Sequence, residues 1–474
     1  MKSSKKNFIY QAIYQVLVLL IPLVTTPYLT RTLGVKALGE YSYSYSIIYY
    51  FMMLIKLGLD NYGNRQIAKV RDDKYNLSKS FFSIYIFQFG MGIIVSIFYF
   101  SVIFFLIKNI TLNIIMFIYI LSSMFDINWF FYGLEEFKAL VLRNIVIRIF
   151  ITILIFALIN GSDDLLKYAV IMALGTFVNQ IYLWAFIKKK INIIKINKSD
   201  IVSHIKPNII LFIPVVAISI YKIMDKIMLG LLTNTEQVGF FDSSEKVIQI
   251  PMALVTALGM VMLPKMSNLY AKKESKSSER LIGLSLELVL FLTTSLGFGL
   301  MAVSKTFVPW YYGEGFEIVI ILFQILLPSG IFLGIANVIR TQYLIPKGMD
   351  NFYIFSLILG AVANLTINSI LIPKLGVIGV AIGTFCAELV VCAIQLFFVR
   401  KYLPLKSYFN VSLKYFVSGF LMYILVLNLN FTSISTVLNL GLQIFIGALI
   451  YLVCLFLFST KKNRNKLFKT FFKR

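Results

Sequence analysis

About fourteen separate apolar stretches, each roughly 18–25 residues long, punctuate this chain. A helix rises about 1.5 Å per residue, so each stretch is long enough to cross the hydrocarbon of a bilayer. The runs are continuously apolar rather than alternating, which excludes strands as the spanning elements. An all-α polytopic membrane protein follows. The overall balance agrees: 59% of the 474 residues are hydrophobic, and a soluble protein of that make-up would expose large apolar patches.

Charge then orients the helices. With the N-terminus inside, most of the 45 Lys and Arg fall in inner loops, among them 65–79, 188–206, 265–280 and 461–474. One helix more or fewer would scramble that asymmetry downstream. It persists to the end, so both termini are expected on the cytoplasmic side. The formal charge of +24 is spread over short loops that face anionic headgroups, not gathered into a stripe, so nucleic acid is not expected as a partner. Lys2, Lys5 and Lys6 precede the first stretch as in a signal peptide. That stretch is too long for one and no A-x-A-like site follows it, so it is expected to be retained. Cys386, Cys392 and Cys454 all lie in apolar segments and His204 is the single histidine, so neither a disulfide framework nor a metal or cofactor site is expected.

The basic segment 188–206 divides the chain. Its Ile191, Ile194, Ile201 and Ile205, interleaved with Lys, suit a helix lying on the inner leaflet. The expected domains are a six-helix lobe over 1–187, this linker, a second six-helix lobe over 207–406, and a helix pair with a basic tail over 407–474. Gly-bearing turns recur at 32–41, 232–241 and 375–379, and Pro22 and Pro214 sit at similar depth in the first and seventh stretches. Six helices separate the first two turns, so the lobes form a parallel repeat about an axis along the membrane normal.

Ionisable groups inside the hydrocarbon cost several kcal/mol unless paired or hydrated, so each is a candidate for function. Depth follows from counting outward from a tight turn. The seventh and eighth stretches turn near 233–236, which brings Lys226 level with Asp242, Asp225 with Glu245, and Lys222 with Lys246. Asp242 and Lys246 are also i,i+4 neighbours. The fourth and fifth stretches turn near 136–138, which makes Asp126 and Arg148 equally deep, an expected ion pair. Arg340 and Glu388 have no evident hairpin partner, Arg31 lies at the outer mouth, and Lys56 and Asp60 are an i,i+4 pair expected only to snorkel at the inner interface. Arg148, Lys222, Lys226, Lys246 and Arg340 are therefore candidates for holding an anionic cargo. Asp126, Asp225, Asp242, Glu245 and Glu388 are candidates for gating or ion pairing. A formally neutral cluster also serves as a buried network that pins helices, so both roles stand open for the hairpin group.

Several segments then carry a likeness. They are Pro22-Leu-Val-Thr-Thr-Pro27-Tyr-Leu-Thr-Arg31-Thr-Leu-Gly34, Gly39-Glu-Tyr41, Leu57-Gly-Leu-Asp60-Asn-Tyr-Gly63 and Asp126-Ile-Asn-Trp129-Phe-Phe-Tyr-Gly133-Leu-Glu-Glu-Phe137. Asp225-Lys-Ile-Met-Leu-Gly230, Val238-Gly239-Phe-Phe241 and Gln342-Tyr-Leu-Ile-Pro346-Lys-Gly348 follow. In order and spacing the chain resembles the Wzx-type polysaccharide repeat-unit flippases of the multidrug/oligosaccharidyl-lipid/polysaccharide exporter superfamily, over nearly its whole length. It departs where Phe240 and Phe241 stand in place of the first lobe's Glu40 and Tyr41. The resemblance implies a MATE-like pair of lobes in a bacterial cytoplasmic membrane around a cavity open alternately to each side. It implies transport of an undecaprenyl-pyrophosphate-linked oligosaccharide from the inner to the outer leaflet, with a polysaccharide polymerase and glycosyltransferases as functional partners.

A multidrug or ion antiporter of the same superfamily is the alternative, favoured by Asp126 and Glu388. A membrane polysaccharide polymerase would need a sizeable outer loop bearing polar groups. The longest outer connection here, 305–316, is of ordinary length, so an enzyme is not expected. No G-x-x-x-x-G-K-[ST] occurs, which argues against ATP-driven transport by this chain.

Overall fold

The computed structural model describes residues 18, 20–106, 109–429, 431 and 434–458, without the side chains of residues 104–106, 137–139, 214, 217, 221, 222 and 411. The expected start of the first span and the basic tail 461–474 lie outside the described residues, and so does the side chain of Lys222. Every regular element among the described residues is helical. Residues 20–32 form α1. It is followed by α2 (Gly34–Lys56), α3 (Leu59–Val70), α4 (Lys74–Leu106), α5 (Ile110–Met124), α6 (Asn128–Gly133), α7 (Phe137–Leu158) and α8 (Leu165–Ile187). Then come the short α9 (Lys198–Val202), α10 (Ile205–Leu232), α11 (Thr235–Ala271), α12 (Ser275–Tyr312) and α13 (Ile318–Ile339). A π-helical segment (Arg340–Leu344), α14 (Asp350–Leu375), α15 (Val377–Val399), α16 (Leu405–Leu427) and α17 (Thr436–Leu457) complete the chain.

The expected apolar stretches correspond to helices in order, the first described only from residue 20 and the fourth divided between α5 and α6. Eleven described helices are long and apolar enough to cross a membrane. The more polar α2 owes its lower hydropathy to its tyrosines and serines. Ile94, Ile97 and Phe98 on α4, and Val437, Leu438 and Phe445 on α17, are exposed, as suits faces covered by acyl chains.

The chain forms two compact units, residues 1–239 and 240–474. In the first, α2 packs on α4, α5 and α10, α5 packs on α8, and α3 packs on α6. One core cluster there surrounds Ile48, Tyr99 and Met116, and another surrounds Phe81, Trp129 and Ile67. In the second unit α14 pairs with α15, and α12 packs on α13, α16 and α17. Its cluster surrounds Val255, Val289 and Ile339.

Three expectations need correction. The fourth stretch is not one helix. It breaks between Met124 and Asn128, because the Asp126 carboxylate accepts the Asn128 N–H at 2.9 Å and competes with the helical ladder. The carbonyls freed at Ser123 and Asp126 are taken by the Gln88 amide at 2.7 and 2.9 Å. The linker is not a leaflet helix either: residues 191–197 have no regular structure and α9 is five residues long. Its cap is made by Asn197 and Asp200, while Lys79 of α4 pairs with Asp200 at 2.9 Å. Local capping and a tie to α4 hold this segment where an amphipathic pattern implied a helix. His204, expected at the interface, is buried at the start of α10. It contacts the Tyr62 hydroxyl through Nδ1 and Ser83 Oγ through Nε2 at 2.8 Å.

The recurrent Gly-bearing turns have a physical reason. A Cβ on Gly39 would stand 1.8 Å from the Thr235 carbonyl oxygen and 2.9 Å from the Gly239 nitrogen, and one on Gly239 would meet the Val35 carbonyl at 2.2 Å. Two stretches of backbone therefore cross in direct contact within the first unit, which only residues without a side chain permit.

Candidate functional site

In the first unit the buried charges collect where α2 ends. Leu57 adopts φ 48° and closes α2, and Gly58 lies so close to α10 that a Cβ would sit 2.6 Å from the Asn208 carbonyl. The chain then re-enters α3, which puts Asp60 beside Lys56 at 2.6 Å. Lys56 does not merely snorkel. Its ammonium turns inward and also meets Asp126 at 2.8 Å, bridging an exposed carboxylate and a buried one. Asp126, level with Arg148 by hairpin counting, thus finds Lys56. The count fails because the break after Met124 displaces everything beyond it from helical register.

Around this bridge runs a polar network that the sequence reading missed. Gln88 Oε1 accepts the Trp129 indole N–H at 3.0 Å. Asn128 donates to Gln180 Oε1 at 3.1 Å and accepts from Arg143 at 3.0 Å, and Arg143 also donates to Asn144. Arg143 is 5% exposed, so it is this arginine, five residues before Arg148, that inserts beside the helix break. The available signal was Gln88 and Gln180 standing alone in apolar stretches, because buried amides are almost always hydrogen-bonded.

Arg148 and Lys226 are both half-buried and both lie within electrostatic range of Tyr45 on α2. Asp225 is buried and acts on Tyr50. Within the second unit Lys246 pairs with Asp242 at 2.7 Å, the i,i+4 pairing expected on one face of α11. The next residue, Ser243, accepts the Tyr312 hydroxyl through its carbonyl at 2.8 Å. Glu245 is half-buried on the same helix. Glu388 is buried in α15, one turn before Cys392. Arg340 opens the π-helical segment and lies on Tyr353, with its guanidinium carbon 5.4 Å from the ring centre and one N–H donated to the hydroxyl at 3.3 Å. A π-bulge frequently accompanies a functional site, and here it carries a half-buried arginine.

His204 lies outside the spans, and burial lowers its pKa against a smaller opposing pull from Asp200. Ser83 donates its hydroxyl to the Lys79 carbonyl at 2.7 Å. Its oxygen therefore accepts from Nε2–H, and because burial disfavours the charged imidazole, Nδ1 is left to accept from the Tyr62 hydroxyl.

A family model described as a polysaccharide biosynthesis protein matches residues 4–270, more than half of the chain. The chain belongs to this polysaccharide biosynthesis family. The family member is 24% identical over 413 residues to the "Putative O-antigen transporter" of Escherichia coli (strain K12), covering 84% of this chain and 97% of that protein. Its fold matches that of the lipid II flippase MurJ in an inward closed conformation at a TM-score of 0.70, with 18% identity over 99% of both chains. It also matches an inward-facing multidrug resistance MATE transporter of the MOP superfamily at 0.63, with 12% identity over 82% of this chain and 97% of that one. The protein is a multi-pass membrane protein of this family, with the fold shared by MurJ and the MATE transporters.

Proposed function

We propose that the protein moves an undecaprenyl-pyrophosphate-linked oligosaccharide repeat unit from the inner to the outer leaflet of a bacterial cytoplasmic membrane by alternating access. The observation that carries this reading is the pair of half-buried cations, Arg148 and Lys226, both within electrostatic range of Tyr45 in a membrane bundle of the polysaccharide biosynthesis family. A diphosphate needs cationic partners once it leaves the headgroup region, and Arg offers a permanent, forked donor for its oxygens. In this reading both termini are cytoplasmic, and 1–187 and 207–406 act as the moving lobes. Helices 407–458 are accessory, and a polymerase and glycosyltransferases are partners upstream and downstream. Arg340, Lys222 and Lys246 complete the anion-handling set. Asp126, Asp225, Asp242, Glu245 and Glu388 exchange ion pairs as the lobes move.

The test is a leaflet-resolved assay of the lipid-linked glycan in proteoliposomes. Wild-type protein should expose the glycan to an external lectin, and Arg148→Gln and Arg340→Gln should each reduce the rate at least tenfold while the protein stays in the membrane. Normal transport by both variants would remove the arginines from the reading. No transport by wild-type protein would remove the substrate.

A further inference from the structure

The middle of α2 is unusual for a membrane helix. Five of the ten residues from 41 to 50 are tyrosines, and they alternate with Ser42, Ser44 and Ser46. Tyr41, Tyr45 and Tyr49 fall four residues apart and so share one helix face, each ring about 6 Å further along the axis.

The face divides into a frame and an open part. Tyr41 is buried. Its hydroxyl meets that of Tyr119 from α5 at 2.6 Å, and its ring lies 4.8 Å edge-on to Tyr168 from α8. Tyr45 lies nearly parallel to Tyr41, with 6.1 Å between ring centres and 11° between planes, and Tyr119 supports it edge-on at 5.2 Å. Tyr45 and Tyr49 themselves remain partly exposed. Close helix packing is the work of the serines, all three of which are buried, with Ser46 Oγ bonded to the Ser42 carbonyl at 2.7 Å. Tyr45 packs on the core cluster around Ile48 and keeps only part of its surface open, while Tyr49 stands outside that cluster. Charges lie within electrostatic range of both rings: Arg148 and Lys226 of Tyr45, Lys56 and Asp60 of Tyr49.

We infer that Tyr45 and Tyr49 form a carbohydrate-stacking subsite in the first unit, on which pyranose rings of the cargo lie while Arg148 and Lys226 hold its phosphate end. The inference rests on the transport reading above and adds the place where the sugar is held. One face of a pyranose is a patch of C–H bonds with partial positive charge. The face of a phenol ring is negative, so the two attract and exclude water together. Rings set about one helical turn apart advance at close to the spacing of linked sugars. Such stacking tolerates many glycans, because it reads a C–H face rather than a pattern of hydroxyls.

The test compares two probes on purified protein in lipid nanodiscs: the undecaprenyl-diphosphate-linked repeat unit extracted from cells lacking this protein, and glycan-free undecaprenyl diphosphate. Each stacked ring is expected to contribute roughly threefold in affinity. Tyr45→Leu with Tyr49→Leu should therefore bind the glycan-bearing probe about tenfold more weakly and the glycan-free probe within twofold of wild type. Tyr45→Phe with Tyr49→Phe should keep most of the affinity. If the double Leu variant does not accumulate, the single variants carry the test at about threefold each. Unchanged affinity for the glycan-bearing probe, or equal losses on both probes, would overturn the subsite while leaving the transport reading intact. Failure of wild-type protein to bind either probe would overturn both.

Discussion

Replacing Lys56 by Met should leave Asp126, whose side chain is 7% exposed, without its cation. Losing one partner of a buried pair costs roughly 3–5 kcal/mol. Asp126 keeps its bond from the Asn128 N–H, so the expected loss lies near the lower end, about 3 kcal/mol. Asp126→Asn alone should cost less, about 1–2 kcal/mol, because Lys56 retains Asp60 and the amide oxygen still caps Asn128. Asp60 is 66% exposed at its side chain, so Asp60→Asn should change stability by under about 1 kcal/mol. The double change Lys56→Met, Asp126→Asn removes both charges and should cost no more than Asp126→Asn. Subtracting the singles leaves a coupling energy of about 3 kcal/mol, large for a contacting pair. Trp129 and Trp184 lie in the first unit and Trp310 in the second, so a Trp310→Phe background makes chemical unfolding in detergent micelles, followed by tryptophan fluorescence, report on the first unit. A coupling energy below about 0.5 kcal/mol would refute the bridge as a buried, mutually dependent pair.

Gly39→Val should abolish accumulation in the membrane, since its Cβ would meet the Thr235 carbonyl at 1.8 Å, whereas Gly90→Ala, with open space around it, should accumulate normally on an immunoblot. His204 resists protonation in the folded state while an unfolded histidine does not, so the unfolded state binds more protons as pH falls below about 6.5 and stability drops there. Thermal midpoints in detergent should therefore fall between pH 7.5 and pH 5.5 for wild type and fall less for His204→Gln; equal slopes would sink the buried neutral imidazole. With Cys386, Cys392 and Cys454 replaced by Ala, a single Cys at Asn234 or Gly313 should react with an impermeant thiol reagent on intact cells, and one at Lys195 or Lys272 should not. Labelling at Lys272 would reverse the assumed orientation.

Some of this protein was legible in the chain alone. Hydrocarbon forces every backbone polar group into a helix and demands about twenty apolar residues per crossing, so the spans and their order follow from composition along the sequence. The intrahelical pair Asp242–Lys246 was equally legible, because i,i+4 neighbours are fixed by the helix itself. What the chain did not disclose is where a helix stops inside an apolar stretch. The break at Asp126 depends on Gln88 arriving from α4 to take the freed carbonyls, a contact 35 and 38 residues distant in sequence. Once the helix breaks, depth counting no longer applies, and Asp126 meets Lys56 while Arg143 turns to Asn128. The recurring glycines were visible as a pattern, but the reason for Gly39 is a backbone some two hundred residues away. Sequence thus determined the solvent each helix was built for. Tertiary structure alone decided which buried charges, amides and tyrosines share a site, because those pairings are set by distances between helices that no local periodicity encodes.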